Sequence, residues 1–177
     1  GNMSIHARLF DREKAIEAIL FIAHSLPNAT MHSISKIFYL ADKQHLQDYG
    51  RLICGDRYIA MEYGPVPSAM YDMMKVSAGR MRIDPDIDDF IIEAFTVVLG
   101  RKILPKRQPE MSLLSESEID CIQQIIHQYG QKTFGQLTDI THDSAWSVTE
   151  ENQPISLIDI AKTLDHSAEL VAYLEAH

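Results

Sequence analysis

Apolar residues recur at helical spacing over residues 11–26, where Ala15, Ile16, Ile19, Leu20, Ile22 and Ala23 form a broad arc and Pro27-Asn28 ends the run. An arc that wide predicts a helix set deep against others rather than on the rim. A second helical period covers residues 31–49, with Ile34, Ile37, Phe38, Ala41 and Leu46 inward and Gly50 placed to terminate it. The two together predict an αα-hairpin. Residues 51–67 then lose the period and become rich in Gly, Pro and Tyr, which predicts short extended pieces or an ordered loop. Pro65 and Pro67 fix their own φ and restrict Gly64 and Val66, so this backbone is stiff. Pro67 also suits the first position of a helix over residues 68–77, whose Met70, Met73 and Met74 read as core-facing.

Residues 79–111 are the least helical part. Residues 91–99 fit a strand or a short helix, and their β-branched side chains and the turn signal Gly100 favour a strand. Met81-Arg82-Ile83 before it and Lys102-Ile103-Leu104-Pro105 after it complete a small antiparallel sheet. The acidic run at residues 84–89 lacks the glycine and distal glutamate of a calcium loop and reads as a solvated turn. Beyond it the helical period returns. Ser115 and Glu118 form a capping box ahead of Ile119, Ile122, Ile125, Ile126 and Tyr129. Thr133 opens a short helix carrying Phe134, Leu137 and Ile140, Ser156 caps another, and residues 166–175 form one more. The pattern predicts a mainly α, multi-helix fold with a small antiparallel β element in its middle (α+β), built as one domain over residues 5–177.

Charge and cysteine usage narrow the function classes. The 16 basic and 25 acidic residues give a net charge of −9, which argues against a nucleic-acid-coating protein. A helix-turn-helix at residues 133–146 would need basic or amide side chains after it, and Glu150 and Glu151 follow instead, so nucleic acid is not an expected partner. Cys54 and Cys121 form neither a CxxC pair nor a disulfide framework, which fits two buried thiols in a reduced, cytoplasmic setting. No stretch approaches the roughly 20 apolar residues of a membrane span. No signal peptide is expected at the N-terminus, and Gly1 before Met3 reads as a cloning remnant.

The usual catalytic and nucleotide-binding motifs do not occur, and no closely spaced Cys/His set is present, so neither a cofactor nor a metal is expected. Asp42, His45 and Asp48 stand three apart on the second helix and could converge on an ion only loosely; they read as a solvated face with a hydrogen-bonded histidine. Asp56 and Glu62 could run acid–base chemistry, or hold Arg57 and cap loop amides. The stronger signal is Tyr58, Met61, Tyr63, Pro65, Val66 and Pro67, with Tyr71 beyond. Rigid aromatic surface costs little entropy to immobilise and concentrates at protein interfaces, although the same tyrosines could instead anchor the loop onto the helices.

At these residues the chain resembles a known family. The blocks Phe38-Tyr39-Leu40-Ala41-Asp42-Lys43-Gln44-His45-Leu46, Tyr49-Gly50-Arg51, Gly55-Asp56-Arg57-Tyr58, Glu62-Tyr63-Gly64-Pro65-Val66-Pro67, Tyr71-Asp72 and Thr141-His142 with Trp146 are similar to the Panacea domain, also described as SocA-like or phage-associated-protein-like. The resemblance implies a mainly helical domain that serves as the antitoxin half of a toxin–antitoxin pair. Such antitoxins neutralise a cognate toxin by direct contact, and one acts as an adaptor to the ClpXP protease. It implies no catalytic residue. Asp42, His45, Asp56, Arg57, Glu62, His142 and Trp146 are its shared polar and structural positions here. The exposed members of Tyr58, Met61, Tyr63, Pro65, Val66, Pro67 and Tyr71, or residues 81–104 beside them, are its expected partner surface. The net charge of −9 would steer a basic toxin. The alternative reading is an enzyme using Asp42, Asp56, Glu62 and His142. His142 is further expected to hydrogen-bond a carboxylate or carbonyl, and Trp146 to pack on the first helical hairpin.

Overall fold

Asp11 caps the first helix, α1 (Arg12–Ser25), by accepting a hydrogen bond from the Lys14 amide at 3.0 Å. A computed structural model describes residues 9–177, so Gly1 and the start of the 5–177 unit lie outside the described residues. Thr30 and Ser33 form a reciprocal capping box at the start of α2 (Met31–Tyr49), and Gly50 ends it in the left-handed conformation at φ 77°. This αα-hairpin is the one the apolar period predicts. The second helix is buried on nearly all sides, Lys36, Asp42 and His45 included, which makes it the spine of the molecule.

After a loop that ends in the left-handed Gly55, the chain forms a tight antiparallel hairpin, β1 (Tyr58–Met61) and β2 (Gly64–Pro67), with Tyr58 opposite Pro67 and Met61 opposite Gly64. Pro67 does not begin the next helix. Pairing with Tyr58 holds it extended (ψ 103°), so it is the last strand residue and the N-cap of α3 (Ser68–Ser77). The three methionines of α3 are buried as expected.

The middle of the chain departs most from the sequence reading. The acidic run is the start of a helix, α4 (Pro85–Ala94), and not a solvated turn. Asp84 accepts hydrogen bonds from the Asp86 and Ile87 amides, Pro85 occupies the first turn, and Asp86 and Asp88 sit at the positive end of the helix dipole. That helix absorbs residues 91–94, so the strand β3 (Phe95–Val98) is shorter than expected. It pairs with β4 (Lys102–Pro105) only, and Met81-Arg82-Ile83 joins no strand. A single 3₁₀ turn (Met111–Leu113) leads to α5 (Glu116–Tyr129), capped by Ser115 and Glu118 as read from the sequence. Four shorter helices follow: α6 (Phe134–Thr141), α7 (Ser144–Ser147), α8 (Leu157–Lys162) and α9 (Ala168–Ala176). The fold is therefore mainly helical with two small antiparallel hairpins in the middle.

Two apolar clusters fill the interior. The larger joins α1, the first part of α2, the methionines of α3, Phe95 and Ile122. The smaller joins Tyr39 and Leu46 of α2 to Tyr58, Ala145, Ile155, Ile160 and Leu174. The β1–β2 hairpin lies between α2 and the C-terminal chain. The Ala60 amide donates to the Gln153 carbonyl at 2.9 Å and the Ile155 amide to the Tyr58 carbonyl at 2.8 Å.

Candidate functional site

The tip of the β1–β2 hairpin is held from below and from the side. Lys36, only 3% exposed, donates to the Tyr63 carbonyl, and no described carboxylate lies within ion-pair distance of its ammonium. Burial lowers its pKa to about 8, because the charged form loses its hydration. Gly64 makes the approach possible. Its φ of +127° is open to glycine alone, and a Cβ there would stand 3.0 Å from Lys36 Nζ and 3.1 Å from Thr141 Oγ1. From the side, Trp146 Nε1 donates to the Met61 carbonyl at 2.7 Å.

Above these clamps lies a half-open aromatic face. Tyr63 and Phe134 are 52% and 51% exposed, and their rings stand 5.8 Å apart. His32 bridges Phe134 and Tyr71 at 6.1 and 5.9 Å. A cavity of about 250 Å³ opens beside them, lined by His32, Lys36, Met61, Tyr63 and Tyr71, with Glu62 and Glu151 among its polar walls. Of the seven residues expected at a partner surface, Met61, Tyr63 and Tyr71 reach solvent. Tyr58, Pro65, Val66 and Pro67 are buried and build the rigid base instead. Phe134, His32 and Lys36 were not singled out from the sequence. α2 is buried on nearly all sides around Lys36, so periodicity gives no sign that Lys36 stands out, and Phe134 sits at a helix start where an inward and an outward aromatic look alike.

Of the shared polar positions, Asp42, His45 and Asp56 are buried and hydrogen-bonded within the fold. Asp42, 1% exposed, accepts from the Tyr58 hydroxyl at 2.6 Å and the Ile53 amide at 2.7 Å. Burial raises its pKa to about 7 despite both bonds. Asp56 accepts from the Arg57, Ala69 and Met70 amides at 2.7–2.9 Å, which fixes the start of α3; burial shifts its carboxyl upward. Arg57 itself is exposed, and its carbonyl receives the Ser68 amide. His45 is fully buried, not on a solvated face. Its Nδ1 donates to the Arg51 carbonyl and its Nε2 meets Ser117 Oγ, both at 2.9 Å, while Asp48 is exposed and accepts from Gln44.

His142 departs from expectation. Its ring stacks on Trp146, with centroids 3.7 Å apart and planes 4° off parallel, and its buried Nε2 has no hydrogen-bond partner among the described residues. The neighbouring Asp143, not singled out from the sequence, accepts from Tyr39 at 2.6 Å, Lys43 at 2.9 Å and the Trp146 amide at 3.0 Å. Trp146 packs on the smaller cluster, which includes Tyr39 and Leu46 of α2, and is bound to the hairpin rather than to α1. Asp42, Asp56, Glu62 and His142 do not converge. Asp42 is enclosed, and Asp56 and Glu62 face different cavities. Burial and the nearby Asp42 carboxylate push the Cys54 thiol well above its ordinary value, and burial takes Cys121 up to about 11, so neither is a ready thiolate. Among the described residues no group of three or more His, Cys, Asp or Glu is placed to hold a metal, and no helix is long and apolar enough to cross a membrane.

No curated protein and no solved structure matches the chain. Residues 34–147 match the family described as antitoxin SocA-like, Panacea domain. That span runs from the spine helix through the β1–β2 hairpin to the residue after Trp146, so every clamp of the aromatic face lies inside it, and the chain belongs to this family.

Proposed function

We propose that this protein is an antitoxin-like binding module that neutralises a cognate toxin by direct contact through the aromatic face. One observation carries the reading. The hairpin tip is immobilised by Lys36, Gly64 and Trp146, yet its Tyr63 stands half in solvent, 5.8 Å from the equally exposed ring of Phe134 at the start of α6. Pre-paid rigidity around exposed aromatic rings is what an interface anchor needs, because little entropy is then lost on binding. Family membership supports the same class of role. The enzyme reading gains nothing from the dispersed carboxylates and His142.

The test is co-expression with the product of the neighbouring gene. Growth arrest by that product should be relieved by the intact protein and not by a Tyr63→Ala/Phe134→Ala variant that stays folded by circular dichroism. A folded double variant that still rescues growth and co-purifies with the toxin would place the contact elsewhere. The finer alternative, delivery of the toxin to a ClpXP-type protease, predicts a shortened toxin half-life on co-expression. A stable, soluble complex with unchanged half-life leaves neutralisation by contact alone.

A further inference from the structure

The β3–β4 hairpin has properties that its own packing does not explain. Leu99, Gly100 and Arg101 connect the two strands, and Val98-Leu99-Gly100-Arg101 forms a β-turn closed by the Arg101 amide on the Val98 carbonyl at 3.1 Å. Leu99 and Gly100 both have positive φ, 55° and 70°, the geometry of the turn in which Asn, Asp or Gly is favoured at the first position. A leucine there is strained, and it is also 87% exposed, so neither the backbone nor the core rewards it. Pairing of Thr96 with Leu104 and Val98 with Lys102 puts those four residues on the face opposite buried Phe95 and Ile103. Leu104, 39% exposed, extends the apolar surface below the tip.

Charge singles out the same hairpin. Between Glu93 and Glu110 the chain carries Arg101, Lys102, Lys106 and Arg107 and no acidic residue, in a protein of net charge −9. Arg107 is paired with buried Glu17 at 2.7 Å, and Lys102 donates to Asn28 at 3.1 Å. Arg101 and Lys106 are exposed and have no ion-pair partner among the described residues.

We propose that the tip and outer face of the β3–β4 hairpin form a docking surface for an acidic protein segment that presents an apolar pocket to Leu99. Leu99 is the anchor, and Arg101 and Lys106 meet carboxylates at the rim of that pocket. At physiological salt the field of exposed charges fades within about 8 Å, so a partner close to the hairpin responds to its local positive charge more than to the distant acidic surface. An exposed aliphatic anchor without aromatic stacking groups suits a protein better than a nucleic acid. This deepens the protein-binding reading above by naming the chemistry of a partner, and it departs from the basic toxin expected from net charge.

The experiment pans a random-peptide display library on the intact protein, then measures selected peptides by fluorescence anisotropy against the intact protein and two variants. Enrichment of Asp and Glu around an apolar residue is expected. Binding should fall about tenfold or more in Leu99→Asn and in Arg101→Glu/Lys106→Glu, and weaken as salt rises. Leu99→Asn should at the same time raise the melting temperature, because asparagine tolerates the left-handed turn. A purely structural leucine would not couple a stability gain to an affinity loss. Failure to select peptides, selection of basic ones, equal binding by the intact protein and both variants, or tighter binding of a labelled DNA duplex, a single-stranded RNA or an anionic phosphatidylserine vesicle would each overturn the proposal. Toxin rescue is scored separately. A protein that selects acidic peptides at Leu99 yet rescues no growth keeps this surface and loses the antitoxin reading.

Discussion

Two buried positions, Gly64 in the β1–β2 hairpin and Asp42 beneath it in α2, show how single residues set its behaviour. Gly64 holds φ at +127° with Lys36 Nζ and Thr141 Oγ1 crowding the site of its absent Cβ. Gly64→Ala therefore combines a forbidden backbone region with a steric clash and should cost about 2–3 kcal/mol, read as a lowered urea midpoint with unchanged slope. An unchanged midpoint would mean that the tip can rearrange freely. Asp42 acts through the proton it holds. The folded protein keeps that proton up to about pH 7, whereas the unfolded chain releases it near 3.8. The native state thus binds more protons across that window, and stability contributed by this group falls as pH rises through it, by on the order of 4 kcal/mol at most. Urea titrations from pH 4 to 8 should show the intact protein losing this increment relative to Asp42→Asn. Parallel pH profiles for the two would refute the assignment.

At the scale of elements, Glu118 ties three of them together. Its carboxylate completes the α5 capping box through the Ser115 amide and meets both Lys14 of α1 and Arg51 of the loop before β1 at 2.8 Å. Burial alone would raise its pKa, but these bonds outweigh it and bring the value down to about 2, from an ordinary 4.5. The stabilisation is fully present above 4.5 and is lost as pH falls toward 2. Glu118→Gln should cost about 3 kcal/mol at neutral pH, by leaving a cation poorly paired, and should flatten the acid limb of the stability profile. An acid limb unchanged by the substitution would sink this account. The capping half of Glu118's role is plain in the sequence, because Ser115 lies three residues before it. The pairing half is not, because Lys14 and Arg51 are distant in sequence and only the fold brings them in. The same division holds elsewhere. α1, α2 and α5 are legible because period and caps agree, and Tyr63-Gly64-Pro65-Val66-Pro67 is legible as a rigid segment. The helix at Pro85–Ala94 is missed because an Asp-Pro start serves a turn and a helix cap equally well. The aromatic face is half legible: Tyr63 stands in the rigid segment, whereas Phe134 and Lys36 reach it from α6 and α2.

For the molecule as a whole, the question is whether its two apolar clusters are independent. Three features argue against it. α2 belongs to both, through Ile34, Ile37 and Phe38 in the larger and Tyr39 and Leu46 in the smaller. Tyr39 and Tyr58 pack edge to face at 5.0 Å, and each hydroxyl is tied to a different carboxylate: Asp143 beside α7, Asp42 within α2. The β1–β2 hairpin also bonds the C-terminal chain through Ala60 and Tyr58 while its own end caps α3. Loss of the smaller cluster would strand Asp42 in the spine helix without its Tyr58 partner, which is costly in a buried setting. We propose that the described chain unfolds as one unit. Trp146, the only tryptophan, reports on the smaller cluster and the hairpin, whereas far-ultraviolet circular dichroism is dominated by α1, α2 and α5. Urea midpoints from the two signals should coincide, and Trp146→Phe, followed by circular dichroism, should lower the shared midpoint without splitting the transition. If the tryptophan signal of the intact protein instead moves at lower urea than the dichroism, the C-terminal helices form a separate, weaker unit, and the aromatic face, which depends on α6 and Trp146, would then loosen before the helical core does.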